Sequence, residues 1–136
     1  MEKYESKQVQ IRKSEETIFG LMSDFNNFTP ILKDRVEGWT VDGDTCSFTV
    51  KGFAVRLRMI EKKPYKLVKI ASADGSPFDF SFWVQLKGLA SDDTRMKLTL
   101  GAKLNMMMKM MIGGKLQKGI DEAAEHIAAA FNQMPG

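Results

Sequence analysis

The chain has one cysteine, one histidine and four prolines in 136 residues, and no apolar run near the roughly 20 residues a membrane-spanning helix needs. Each scarcity excludes something. Cys46 alone cannot close an intrachain disulfide, and His126 alone cannot form the histidine cluster of a metal centre, so no metal and no cofactor is implied. Met1 to Gln10 is polar and mixed in charge, unlike a signal peptide, and a cytoplasmic location with no integral membrane span is expected. Asp42-Gly43, Gly75-Ser76-Pro77 and Gly113-Gly114 do not belong to a glycine-rich loop ending in Lys and Ser or Thr, so no phosphate cradle is present in the sequence. Positive charge exceeds negative only slightly, 20 Lys plus Arg against 17 Asp plus Glu, and the basic residues are interleaved with acids, which disfavours a nucleic-acid interface.

What is present suits one domain over residues 1–136 with a real core, at 43% hydrophobic residues. A strand is expected over Tyr4 to Arg12. A helix follows, with Ser14 as N-cap, Glu15 and Glu16 in its first turn and Ile18, Leu21, Met22 and Phe25 as its apolar stripe. Phe28, Ile31 and Leu32 fit a second, very short helix that tolerates Pro30 in its first turn. Six strands are then expected: Val36 to Val41, Thr45 to Val50, Phe53 to Lys62, Tyr65 to Ser72, Phe78 to Gly88 and Thr94 to Leu104. Turns at Asp42-Gly43, Lys51-Gly52, Lys63-Pro64, Asp74-Gly75 and Asp92-Asp93 separate them.

Period-two alternation assigns Cys46, Phe48 and Val50, then Phe53, Val55, Leu57 and Met59, then Phe78, Phe80, Phe82, Val84 and Leu86 to an inner face. Arg56, Arg58, Asp79, Gln85 and Trp83 take the outer parity. From Asn105 to Asn132 the period becomes helical, with Ile112, Leu116, Ile120, Ala123, Ile127, Ala130 and Phe131 on one sector. On a straight helix Met107, Met110 and Met111 would lie outside that sector and Lys109 would point inward. That conflict predicts a kink at Gly113-Gly114 or a partner covering the methionines.

The segments VQIRKSEETIFGLMSDFNNF, PYKLVKI, DDTRMKLTL and LNMMMKMMIGGKLQKGIDEAAEHIA, in this order, resemble the START-like and plant-allergen-like helix-grip superfamily, also called SRPBCC or polyketide cyclase/dehydrase-like. The resemblance covers nearly the whole chain and consists of diffuse fold signatures rather than a catalytic motif. It implies an α+β helix-grip fold: a curved seven-stranded antiparallel sheet around a long C-terminal helix, with two short N-terminal helices. It also implies a cavity for a small hydrophobic molecule, in a superfamily that includes carriers, enzymes and chaperone co-regulators.

The ligand-binding residues expected on this basis are Trp39, Phe48, Phe53, Leu57, Phe80, Phe82, Met96, Leu98, Met108, Lys109, Ile112 and Leu116. No catalytic set is evident. Cys46 reads as an inert core thiol and His126 as a boundary residue one turn beyond Glu122. Noncatalytic binding or transport is the leading expectation. A protein-interaction or stress-response module, contacting a partner or a second copy through Trp83 or Met107 to Met111, and a polyketide cyclase/dehydratase-like enzyme are the alternatives.

Overall fold

The computed structural model describes residues 1–50, 52–73 and 79–135. The strands are β1 (Glu2–Glu5), β2 (Val9–Ile11), β3 (Glu37–Asp42), β4 (Thr45–Val50), β5 (Phe53–Lys63), β6 (Leu67–Ser72), β7 (Phe80–Ala90) and β8 (Asp93–Ala102). The helices are α1 (Glu15–Met22), α2 (Thr29–Leu32) and α3 (Met106–Asn132), with a single 3-10 turn at Phe25–Phe28. Lys51 of one expected turn, the turn at Asp74-Gly75, the motif Gly75-Ser76-Pro77 and the strand start at Phe78 lie outside the described residues.

The strands form one curved antiparallel sheet in the order β1-β8-β7-β6-β5-β4-β3, with β2 also paired to β8. The strand expected over Tyr4 to Arg12 is therefore interrupted. Ser6 stands at the break, donating its backbone N–H to Leu98 O at 2.8 Å and accepting the Leu98 N–H on its hydroxyl at 2.9 Å. Its side chain thus replaces a ladder bond, and seven strand positions are built from eight segments. A second irregularity lies between Met59 and Glu61, where Ile60, on the outer parity of β5, is exposed.

One end of this sheet is closed. Ile18 and Met22 of α1, and Phe25 after it, pack into a core with Ile11, Val68, Val84, Leu86, Met96, Leu98, Ile120, Ala124 and Phe131. Ser14 caps α1 by accepting the Thr17 N–H at 3.1 Å. Glu15 ties α1 to the sheet, its carboxylate accepting from Gly88 N at 2.9 Å and Lys66 Nζ at 2.8 Å, and the hydrogen bond from Lys66, aided by that from Gly88, holds this carboxyl below its usual range.

α3 is continuous helix through Gly113-Gly114, about 40 Å at 1.5 Å per residue. The first glycine has a cause in packing. Gly113 is buried against β1, and a Cβ placed on it would sit 3.1 Å from the Tyr4 hydroxyl oxygen, whereas Gly114 has open space around it. The helix is also stapled to the first two strands by polar contacts in parallel order: Lys109 with Glu2 (3.2 Å), Gln117 Nε2 to Glu5 O (2.8 Å), Lys7 N to Asp121 (2.7 Å), Lys7 Nζ with Glu125, and Arg12 N to Asn132 (2.7 Å).

The Tyr4 hydroxyl oxygen is buried with no hydrogen-bond partner among the described residues, an arrangement that costs stability. Gly114→Ala is expected to stabilise the fold by about 1 kcal/mol through helix propensity alone. Gly113→Ala should gain less or lose, and Tyr4→Phe in the same chain should restore its gain. Denaturant unfolding of the three variants checks this; equal effects at both glycines would show that Tyr4 does not constrain the helix.

Candidate ligand-binding site

Along β4, β5 and β7 the concave face grades from sealed to half-buried or exposed toward one end. On β7, Leu86 and Val84 are buried while Phe82 and Phe80 are half-buried. On β5, Met59 is buried, Leu57 and Val55 are half-buried, and Phe53 is 61% exposed. On β4, Cys46 is buried and Phe48 half-buried; on β8, Met96, Leu98 and Ala102 are sealed and Leu100 between them is half-buried. The strand registers place half-buried residues beside sealed ones: Phe82 pairs with Leu100 and with the buried Ile70, Phe80 with the buried Ala102, and Leu57 with the buried Cys46 and with Ser72. The apolar inner face therefore continues, less deeply buried and packed against the core at Phe48, Leu57, Phe82 and Leu100, toward the end of the sheet from which α3 departs.

α3 supplies the facing wall. Ile120, Ala124, Ala128 and Phe131 of its C-terminal half are buried, whereas Met108, Ile112 and Leu116 of its N-terminal half are half-buried. The helix packs on β1, β2 and β8. At the far edge, the backbone turns at Gly38, whose φ is +65° and where the β3–β4 register shifts. Trp39 follows, its indole N–H donating to Thr29 Oγ1 at 2.8 Å and its ring 5.8 Å from that of Phe48. The Ser72 hydroxyl near the open end accepts the Phe80 N–H at 3.0 Å.

Eight of the residues expected at the site are half-buried: Trp39, Phe48, Leu57, Phe80 and Phe82 on the sheet, and Met108, Ile112 and Leu116 on α3. Met96 and Leu98 are 0% exposed and belong to the filled core. Phe53 has the inward register of its strand but stands past the core near the hairpin tip. Lys109 does not point inward: its side chain is about half exposed and its amine lies 3.2 Å from Glu2 on β1. Val55 and Leu100 join the wall without having been singled out, although both follow the alternation of their strands.

Two hollows lie elsewhere. One of about 480 Å³ is lined by Met1, Glu2, Lys103, Leu104 and Asn105, and one of about 200 Å³ by Gln8, Gln85, Leu86, Lys87, Arg95 and Lys97. Trp83, on the outer face, lies between the amines of Lys3 and Lys69, 5.3 and 5.0 Å from its ring centre, and against Gly101. The chain itself occupies that surface. His126 and Arg58 are exposed. Among the described residues no group of three or more His, Cys, Asp or Glu is arranged to hold a metal ion, and no helix is long and apolar enough to cross a membrane.

No protein-family model and no curated protein matches the chain. Solved structures do. A norcoclaurine synthase from Thalictrum flavum, in complex with dopamine and hydroxybenzaldehyde, superposes with a TM-score of 0.76 at 13% identity over 99% of this chain and 89% of that one. A START superfamily protein from Mycobacterium smegmatis gives 0.70 at 18% over 96% and 94%. The Aha1 dimer from Colwellia psychrerythraea gives 0.72 at 16% over 100% of both chains. The chain has the START-like helix-grip fold that its sequence resembles.

Burial pushes the Cys46 thiol up to about 11, against a smaller opposing effect of its hydrogen bond with the Leu57 backbone. The native protein is accordingly expected to resist iodoacetamide at pH 8, and to react once unfolded. Because the unfolded thiol ionises first, this group should also subtract stability as pH rises from about 9 toward 11. Rapid alkylation of the folded chain would show that Cys46 is accessible.

Proposed function

We propose that this protein, a single cytoplasmic domain over residues 1–136, binds a small hydrophobic molecule noncatalytically between the open half of the sheet and the N-terminal half of α3. One observation carries the reading. Phe48, Leu57, Phe80 and Phe82 on the sheet and Ile112 and Leu116 on the helix are left half-buried on the faces where their neighbours one or two positions along are sealed. Large apolar side chains held partly in water by a rigid scaffold gain free energy when an apolar molecule covers them. The complex of the norcoclaurine synthase with dopamine and hydroxybenzaldehyde shows that this fold accommodates small aromatic molecules in that protein.

The wall is apolar, and its chemistry is capture by surface burial. The ligand would lie along the graded boundary, touching Phe82 and Leu57 at its deep end and Ile112 at its shallow end. Met108 would adapt to its shape because the thioether chain is unbranched and flexible.

Titration with the fluorescent probe 1-anilinonaphthalene-8-sulfonate tests the reading. Saturable enhancement is expected, with affinity falling about tenfold for Leu57→Asn or Ile112→Asn, the loss of one buried aliphatic contact. Lys87→Gln on the outer face should leave it unchanged. No saturable binding, or equal binding by the two apolar variants in folded form, would contradict the proposal.

A further inference from the structure

The first turns of α3 carry an apolar surface that the groove does not use. Met106, Met107, Met110 and Met111 are 79, 70, 81 and 68% exposed. Their azimuths make this unusual. Met106 and Met110 precede Ala124 and Ala128 by 18 residues, about five turns, and so share their direction around the helix. Ala124 and Ala128 are buried while the two methionines are not, so the start of the helix projects past the surface that covers its later turns.

Charge accompanies the exposure. Residues 103–120 contain Lys103, Lys109, Lys115 and Lys118 and no acid; the first is Asp121. Lys103, Lys109 and Lys118 have carboxylates nearby, Asp79 at 3.6 Å, Glu2 at 3.2 Å and Glu122 at 3.9 Å, all pairs with largely exposed side chains. Such pairs in water are weak and exchangeable. Lys115 and Lys118 lie on the same outer side of the helix as Met107 and Met111, one to two turns farther on.

We infer that the N-terminal turns of α3 dock on an anionic lipid surface, the methionines entering the headgroup boundary while the lysines meet lipid phosphates. Flexible unbranched thioethers fill an irregular apolar layer, and the lysine amines reach the charged layer above it. Among the described residues no helix is long and apolar enough to cross the bilayer, and the proposed contact is a peripheral one. A second copy fits less well: a two-fold contact would bring the same patch, with its lysines, against itself, and like charges would face each other. The lipid surface supplies the complementary sign. This inference does not require the groove to be occupied.

Flotation with vesicles of phosphatidylcholine alone and of phosphatidylcholine mixed with phosphatidylglycerol tests it. Binding to the anionic vesicles, weakened by salt, is expected. The exposed-site variants Met107→Glu/Met110→Glu and Lys115→Glu/Lys118→Glu should each weaken it by about tenfold or more while keeping the wild-type circular dichroism. Absence of binding to the anionic vesicles, binding indifferent to the methionine variant, or a concentration-dependent dimer abolished by that variant would overturn the inference. The methionine variant should still bind the naphthalene probe with Ile112-dependent affinity, which separates this surface from the groove.

Discussion

Everything the concave face can do depends on where α3 is held. Its C-terminal half is fixed by burial of Ile120, Ala124, Ala128 and Phe131, and its whole length is registered against the first two strands by side-chain contacts from Glu2 and Lys109 to Arg12 and Asn132. The exposed members of that series contribute little energy singly. Their order still matters, because shifting the helix along its axis would break several at once. The close approach of Tyr4 to Gly113 sets its height over β1. A helix fixed in this way at its end and along one edge carries a buried C-terminal half and an N-terminal half whose apolar residues Met108, Ile112 and Leu116 are only half-buried.

The two ends of the molecule consequently behave differently. At the closed end α1, the Phe25 turn and the end of α3 cover the sheet, and the side chains there are sealed. At the other end the same strands carry the same kinds of residue, aromatic and aliphatic, but these are half-buried. Stability is concentrated in the first region, so substitutions in the second come at a more modest cost to folding.

Much of this arrangement is legible in the sequence. Period-two alternation assigned Phe48, Leu57, Phe80 and Phe82 to the inner face correctly because backbone pleat alone decides which face a side chain takes. Depth along the strand is not encoded in that period. Phe53 and Leu57 share a parity, yet one is exposed near a hairpin tip and the other is on the wall; Leu98 and Leu100 share a parity, yet only one is sealed. Those differences come from which helix lies above, a long-range fact. The same limit explains Lys109, whose azimuth on an isolated helix pointed inward but whose long side chain reaches Glu2, and Gly113, whose reason is a tyrosine more than a hundred residues earlier. Ser6 interrupted the first strand by bonding twice to Leu98, which a polar pattern near the chain start did not reveal.

The central claim, that the groove between the open half of the sheet and α3 receives an apolar molecule, is tested most directly by amide chemical-shift mapping during titration with 1-anilinonaphthalene-8-sulfonate. The account predicts the largest shifts at Leu57, Phe80, Phe82, Ile112 and Leu116, with Lys87 and Arg58 on the outer face unaffected. Shifts centred on Trp83 and Lys69, or spread evenly over the exposed surface, would contradict it.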